Sequence, residues 1–285
     1  MNILSIEDVE KKQIDEIFEI ADNLQKGGRP NTLQGKTAIM LFDEKDAMER
    51  IFLETAARNL GLNLIYEEMK IEKANIEKVS YVLNSYADIA IIKTKEHKNL
   101  DELSKLAGLP IINVATELEK PCGVLGDIYK MRSYKKNLNK MKIAVVGDIS
   151  SNYSNTIMLA ASKMGMEIAL VGSKNLLPNA LYFAKAREYG KIDTYNDIKE
   201  IADEADIFYT VGNASSYDIN LESSFKNMLD KKTSAVVITP ADLGTGLSFN
   251  TKNASVKISK ENNIPYEALV YEAILLYAYQ NKNIE

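Results

Sequence analysis

Residues 41–61 read LFDEKDAMERIFLETAARNLG, the end of a buried strand running through a short turn into an amphipathic helix. A helix start at the carboxyl end of a strand suits an anion, because its unpaired amides and its dipole favour negative charge. This turn instead carries Asp43, Glu44, Asp46 and Glu49 against Lys45 and Arg50. Asp46 and Glu49 have the D-x-x-E spacing of a capping box, in which side chains occupy the orphan amides of the first turn. An anion arriving about 5 Å from one of these carboxylates is repelled by roughly 3 kcal/mol at an effective dielectric near 20, about a hundredfold in affinity. Three readings stay open: a capped helix with a solvated charged turn, a site for a cationic or neutral ligand, and an anion site supported by Lys45, Lys93 and Arg50.

Other reactive side chains are few. A single cysteine, Cys122, forms no intramolecular disulfide, and a single histidine, His97, leaves no His/Cys cluster for zinc. His97 lies in the charged run KTKEHK and reads as a surface residue ahead of a helix rather than a general base. Cys122 reads as a small buried residue, with a reactive thiol as the lesser alternative. The glycine of VVGD (145–148) lacks the G-x-G-x-x-G pattern of a dinucleotide site. No cofactor and no metal are expected. Tyr266, Tyr271, Tyr277 and Tyr279 read as packing rather than as a binding platform.

The chain that must position these residues has 285 residues, 46% of them hydrophobic, enough for two α/β domains. Apolar runs at 36–42, 62–66, 88–93 and 109–114 alternate with helical patterns at 76–86 and 100–108. The helix after the opening turn places Met48, Ile51, Phe52, Thr55, Ala56 and Leu60 on one expected buried stripe. The pattern restarts with strands at 140–148, 167–173, 206–212 and 234–240 and helices at 155–165 and 179–190. Residues 122–137 read as a connecting helix, and 264–281, apolar nearly all round, as a buried helix packing back across the domain junction. Such alternation predicts parallel sheets covered on both faces. The expected division is 1–125 with 264–285, and 126–263. Ligands of such sheets bind outside the carboxyl ends of the strands. That places 43–50, 93–97, 115–123, 148–154 and 239–245 around one cleft if the domains face each other.

A net charge of −5 with interspersed signs gives no footprint for nucleic acid. The charged opening MNILSIEDVEKKQIDEIFEIADNL fits no leader, and no apolar run approaches the roughly 18–20 residues of a membrane span. A cytoplasmic protein without membrane or nucleic-acid partners is expected.

The stretches LQGKTAIMLFDEKDAMERIFLETAARNLG, VLNSYADIAIIKTKEHKNLDELSKLAGLPIINVATELEKPCGVLGD and KIAVVGD followed by NTIMLAASKMGM resemble, in order and spacing, the aspartate/ornithine carbamoyltransferase family. The resemblance covers most of the chain and is strongest over 33–172. It implies a carbamoyl-phosphate domain, an amino-acid domain, two connecting helices and a homotrimer. Active members resemble one another most in a Ser-Thr-Arg-Thr-Arg run at the first turn, whose amides, hydroxyls and arginine hold a doubly charged phosphate. Aligned without gaps, this chain has Asp46, Ala47, Met48, Glu49 and Arg50 there.

The resemblance also places Lys93 where an arginine follows the third strand, losing the bidentate fork. Lys120, Pro121, Cys122 and Gly123 stand at the His-Pro-Cys-Gln motif that holds the carbamoyl group. On the amino-acid side, Asp148 remains, Ser150, Ser151 and Asn152 occupy a Gly-Asn-Asn region, and Val237-Ile238-Thr239-Pro240 replaces His-Cys-Leu-Pro. Asn213 and Asp242 are further ligand-contact candidates. The expectation is a homologue with a degenerate carbamoyl-phosphate site, binding a small amino-acid-like ligand or a protein partner without catalysis. The alternative is an active carbamoyltransferase using Arg50, Lys93 and Lys120 in a rearranged site.

Overall fold

A computed structural model describes residues 1–71, 74–173, 175–212, 219–232, 234–240, 256–258 and 266–282. The chain divides into two compact units, Met1–Gly126 with Pro265–Glu285, and Asp127–Ile264.

In the first unit the order is Lys11–Gln25 (α1), Thr37–Phe42 (β1), Ala47–Asn59 (α2), Asn63–Glu68 (β2), Ile76–Tyr86 (α3), Ile89–Lys93 (β3), His97–Leu106 (α4) and Ile111–Ala115 (β4). The helix Pro121–Tyr134 (α5) begins in this unit and carries the chain into the second. The second unit continues with Lys142–Gly147 (β5), Asn152–Lys163 (α6), Glu167–Gly172 (β6), Ala180–Tyr189 (α7), Ile192–Tyr195 (β7), Ile207–Val211 (β8), Ile219–Leu229 (α8), Ala235–Ile238 (β9) and Val256–Ile258 (β10). Tyr266–Gln280 (α9) returns to the first unit.

Both sheets are parallel, with orders β2-β1-β3-β4 and β10-β9-β8-β5-β6-β7. In each, the first strand has neighbours to which the chain travels in opposite directions, which opens a crevice at its carboxyl end. The switch point lies between β1 and β3 in the first unit and between β5 and β8 in the second. The loops after β1 and β3 are therefore brought together by topology alone.

Aliphatic runs buried on both faces in β1, β3, β5 and β6 favour parallel pairing, while the edge strands β2 and β7 are partly exposed. In the first unit Ile39, Leu41, Ala90, Ile92 and Ile111 pack with Val79, Leu83, Leu100 and Leu103 of α3 and α4. In the second, Val146, Val171, Phe208 and Val237 pack with Phe225, Met228 and Leu229 of α8. The helix α9 is buried over most of its length, as its all-round apolar sequence requires, and packs along α1 and α2.

Several sequence expectations need correction. The inward face of α2 carries Glu49, Leu53, Ala56 and Ala57, while Met48 and Ile51 are 44% and 54% exposed. The small Ala56 and Ala57 let α9 approach this face, and that fixes the helix rotation. The helix expected at 155–165 starts at Asn152, where Ser151 accepts from the Ser154 amide as its N-cap, and the one expected at 100–108 starts at His97. The apolar-run reading does not include α1, β7, α8 or β10. Among the described residues no helix is long and apolar enough to cross a membrane.

Candidate functional site

The first turn of α2 sits at the β1/β3 switch point, and each of its acids has a separate task. Asp43 ties three segments together: its carboxylate accepts from the Ile71 amide at 3.0 Å, the Thr94 hydroxyl at 2.9 Å and the Lys95 amide at 2.8 Å. Asp46 caps α2 by accepting from the Glu49 amide at 3.1 Å, and its other oxygen takes the Lys93 ammonium at 2.8 Å. Burial works to raise the Asp46 carboxyl, but the hydrogen bonds from Lys93 and the Glu49 amide outweigh it and hold the group below the usual carboxylate range. Glu44 stands in solvent, 3.8 Å from Lys93.

Glu49 departs most from expectation. A capping box needs its side chain to reach back to the Asp46 amide; instead it points inward, 2% exposed, with Oε1 2.7 Å from Lys120 Nζ. Its Oε2 accepts from the Tyr271 hydroxyl of α9. Only half of the box forms, because a lysine and a tyrosine inside offer this carboxylate stronger partners than one backbone amide. A buried charge persists only when paired and hydrogen-bonded, and Glu49 is both. The solvated-turn reading holds for Glu44 and Lys45 and fails for Glu49.

The remaining candidate anchor is also occupied. Arg50 pairs with Glu54 at 2.6 Å and lies over the Tyr66 ring, 4.1 Å from its centroid. Lys93, Lys120 and Arg50 thus each face a carboxylate of this chain. Ala47 and Met48, between the two acids, are exposed and offer no hydrogen-bonding side chain.

On the 120–123 segment, the Lys120 stem folds over Gly123, where a Cβ would lie 3.2 Å from Lys120 Cε. A Cβ at 123 would crowd the lysine stem by a few tenths of an ångström as it turns toward Glu49. Pro121 is buried at the start of α5, and Cys122 is buried with its thiol donating to the Asn113 carbonyl at 3.1 Å. Burial pushes that thiol well above its ordinary range and the Glu49 charge adds to the rise, both opposing the thiolate. His97 is the first residue of α4, half-buried, with Nδ1 3.0 Å from the Thr116 hydroxyl.

In the second unit the loop after β5 is organised by Asp148. Gly147 adopts φ +121°, turning the chain at the strand end. Asp148 Oδ1 accepts from the Ser150 amide at 3.0 Å and hydroxyl at 2.6 Å, while its carbonyl accepts from Ser151 and Ser154. Asn152 is half-exposed in the first turn of α6. Thr239 is half-buried, its hydroxyl 2.7 Å from that of Thr210, and Pro240 is buried beside it. Asn213 and Asp242 lie outside the described residues.

Sequence reasoning missed Tyr271 as a site residue, and counted Asp43 only as surplus charge. The acid at 49 with a lysine at 120 beside a glycine at 123 signalled the buried pair, but nothing in that pattern marks Tyr271 or Asp43. Among the described residues no group of three or more His, Cys, Asp or Glu is placed to hold a metal ion.

The family model described as "Aspartate/ornithine carbamoyltransferase, carbamoyl-P binding domain" matches residues 1–133, and "Aspartate/ornithine carbamoyltransferase, Asp/Orn binding domain" matches 139–239. The ornithine carbamoyltransferase of Archaeoglobus fulgidus is 30% identical over 218 residues, covering 73% of this chain and 71% of the relative. That of Anoxybacillus flavithermus is 31% identical over 222 residues, covering 73% and 70%. The fold is shared with the crystal structure of ornithine carbamoyltransferase from Gloeobacter violaceus, at TM-score 0.79 and 24% identity over 98% of this chain and 97% of that one. The Giardia lamblia ornithine transcarbamoylase structure aligns at TM-score 0.81 and 18% identity with the same coverage. With both halves matched in order, the chain belongs to the aspartate/ornithine carbamoyltransferase family.

Proposed function

We propose that this chain is a carbamoyltransferase homologue in which the carbamoyl-phosphate site is closed from within, and that it binds a small amino-acid-like ligand or a protein partner rather than transferring a carbamoyl group. The observation that carries this reading is the Glu49 carboxylate, buried against Lys120 and Tyr271. A dianion entering here must displace two internal carboxylates, Asp46 and Glu49, from the lysines and amide they satisfy. Arg50, Lys93 and Lys120, the anchors of an active rearranged site, are engaged with Glu54, Asp46 and Glu49. The amino-acid-like ligand class is inferred from the family of the second half.

A homotrimer is part of the proposal, and the outward Met48, Ile51 and Ile65 support it by offering apolar area for a neighbour. A solution mass near three times 31.8 kDa is expected; co-purification with a second chain at another stoichiometry supports the protein-partner role instead.

The test is a thermal-shift titration. A ligand at a hundred times its dissociation constant adds about 2.7 kcal/mol to stability. Carbamoyl phosphate and inorganic phosphate are expected to give no saturable shift at sub-millimolar concentration, while one member of an amino-acid panel does. A saturable shift with carbamoyl phosphate, together with a ureido product from an added amine, overturns the reading.

A further inference from the structure

The environment of Glu49 has the features of a receptor as well as of a packing contact. Its two oxygens are bound by two different donors, an ammonium from the loop before α5 and a phenol from α9, each on a separate element. Both donor side chains are withdrawn from solvent, Lys120 at 4% and Tyr271 at 2% exposure. Neither donor lies on α2. A planar anion with two oxygens is what this pair of donors accepts, and the peptide link to α2 is not needed for either bond.

We propose that Lys120 and Tyr271 form a binding pocket for a small carboxylate, which Glu49 fills as a tethered intramolecular ligand. This rests on the reading that the site is closed from within, and it names the closing element. The tether favours occupancy by Glu49: a group held in place competes at an effective concentration in the millimolar range or above. Removing the tethered group, not adding charge, is then what opens the pocket. Truncation to alanine deletes one methylene and one carboxylate, four heavy atoms that acetate replaces one for one.

The experiment uses the full chain with Glu49→Ala, titrated with sodium acetate and sodium formate against sodium chloride at equal ionic strength. The variant is expected to be destabilised in chloride and to show a saturable rise in Tm of about 3 °C with acetate. The unsubstituted chain is expected to show no such rise. Glu49→Gln, which refills the volume without charge, is expected to remain unresponsive, and Lys120→Met placed in the Glu49→Ala background is expected to abolish the response. Should Glu49→Ala be unfolded in chloride, the same titration is read as recovery of the circular dichroism signal, expected with acetate and not with chloride. Absence of an acetate-specific response in Glu49→Ala overturns the proposal, as does an equal response in Glu49→Gln. Failure here leaves the carbamoyl phosphate result on the unsubstituted chain unaffected, so the two readings fail separately.

Discussion

Lys120 Nζ and Glu49 Oε1 stand 2.7 Å apart with 5% and 2% of their side-chain surfaces exposed, a buried ion pair joining the loop before α5 to the first turn of α2. Breaking such a pair from one side leaves an uncompensated charge and costs about 3–5 kcal/mol, whereas apolar replacement of both partners is near neutral. Lys120→Ala is therefore expected to lower unfolding free energy in urea by that amount, and Lys120→Met with Glu49→Leu to recover most of it. A loss below about 1 kcal/mol for Lys120→Ala contradicts the pairing.

Gly123 depends on the same lysine. Its missing Cβ leaves room for Lys120 Cε at 3.2 Å, so Gly123→Ala is expected to destabilise the chain while Lys120 is present. In the Lys120→Ala background the crowding is gone and the ordinary helix preference for alanine, about 0.5–1 kcal/mol, should appear. The change of sign between the two backgrounds is the measurement; equal effects in both dismiss the coupling.

Asp46 sets an acid limit. Its folded-state carboxyl lies below the usual range, so its contribution is complete above the unfolded value of about 3.9 and is lost as pH falls through the folded value. Asp46→Asn keeps a capping oxygen but gives up the charge pair with Lys93. Urea midpoints of the two proteins should differ at pH 7 and converge toward pH 3. A difference that persists unchanged to pH 3 assigns the effect to something other than this carboxylate.

Cys122 is expected to resist thiol reagents in the folded protein and to react fully in urea, because burial and the Glu49 charge both oppose the thiolate. Stoichiometric labelling of the native chain within minutes contradicts that environment.

The family resemblance supplies a constructive test. Replacing Asp46, Ala47, Met48 and Glu49 by Ser, Thr, Arg and Thr removes both internal carboxylates and returns three hydroxyls and a guanidinium to the turn. A phosphate-dependent Tm increase absent from the parent is expected; if none appears, the turn is not what excludes the anion.

Much of the fold was legible because parallel strands buried on both faces appear as uninterrupted aliphatic runs, as at Ile89–Lys93 and Lys142–Gly147. The helix α1, outside the apolar-run reading, carries a stripe of Ile14, Ile17, Phe18, Ala21 and Leu24 interleaved with charged surface residues, so it forms no continuous apolar run. In α2, apolar spacing alone puts Met48 and Ile51 inside, whereas the buried Glu49 belongs to the inward face and both apolar residues point outward. A hydrophobic pattern cannot show a buried carboxylate, since what permits its burial is a lysine and a hydroxyl supplied by distant parts of the chain. The caps, by contrast, were local: Asp46 was readable from the turn itself, whereas the destination of Lys93 depended on strand order.

The placement of α9 bears on how the chain matures. The first unit is interrupted in sequence by the whole of residues 127–264, and the helix that covers α1 and α2 comes after them. Synthesis of that intervening stretch takes on the order of 10 s. Until α9 is made, α1 and α2 lack the helix that covers them and Glu49 lacks the Tyr271 hydroxyl, so the first unit completes its core only after residues 127–264 have been synthesised.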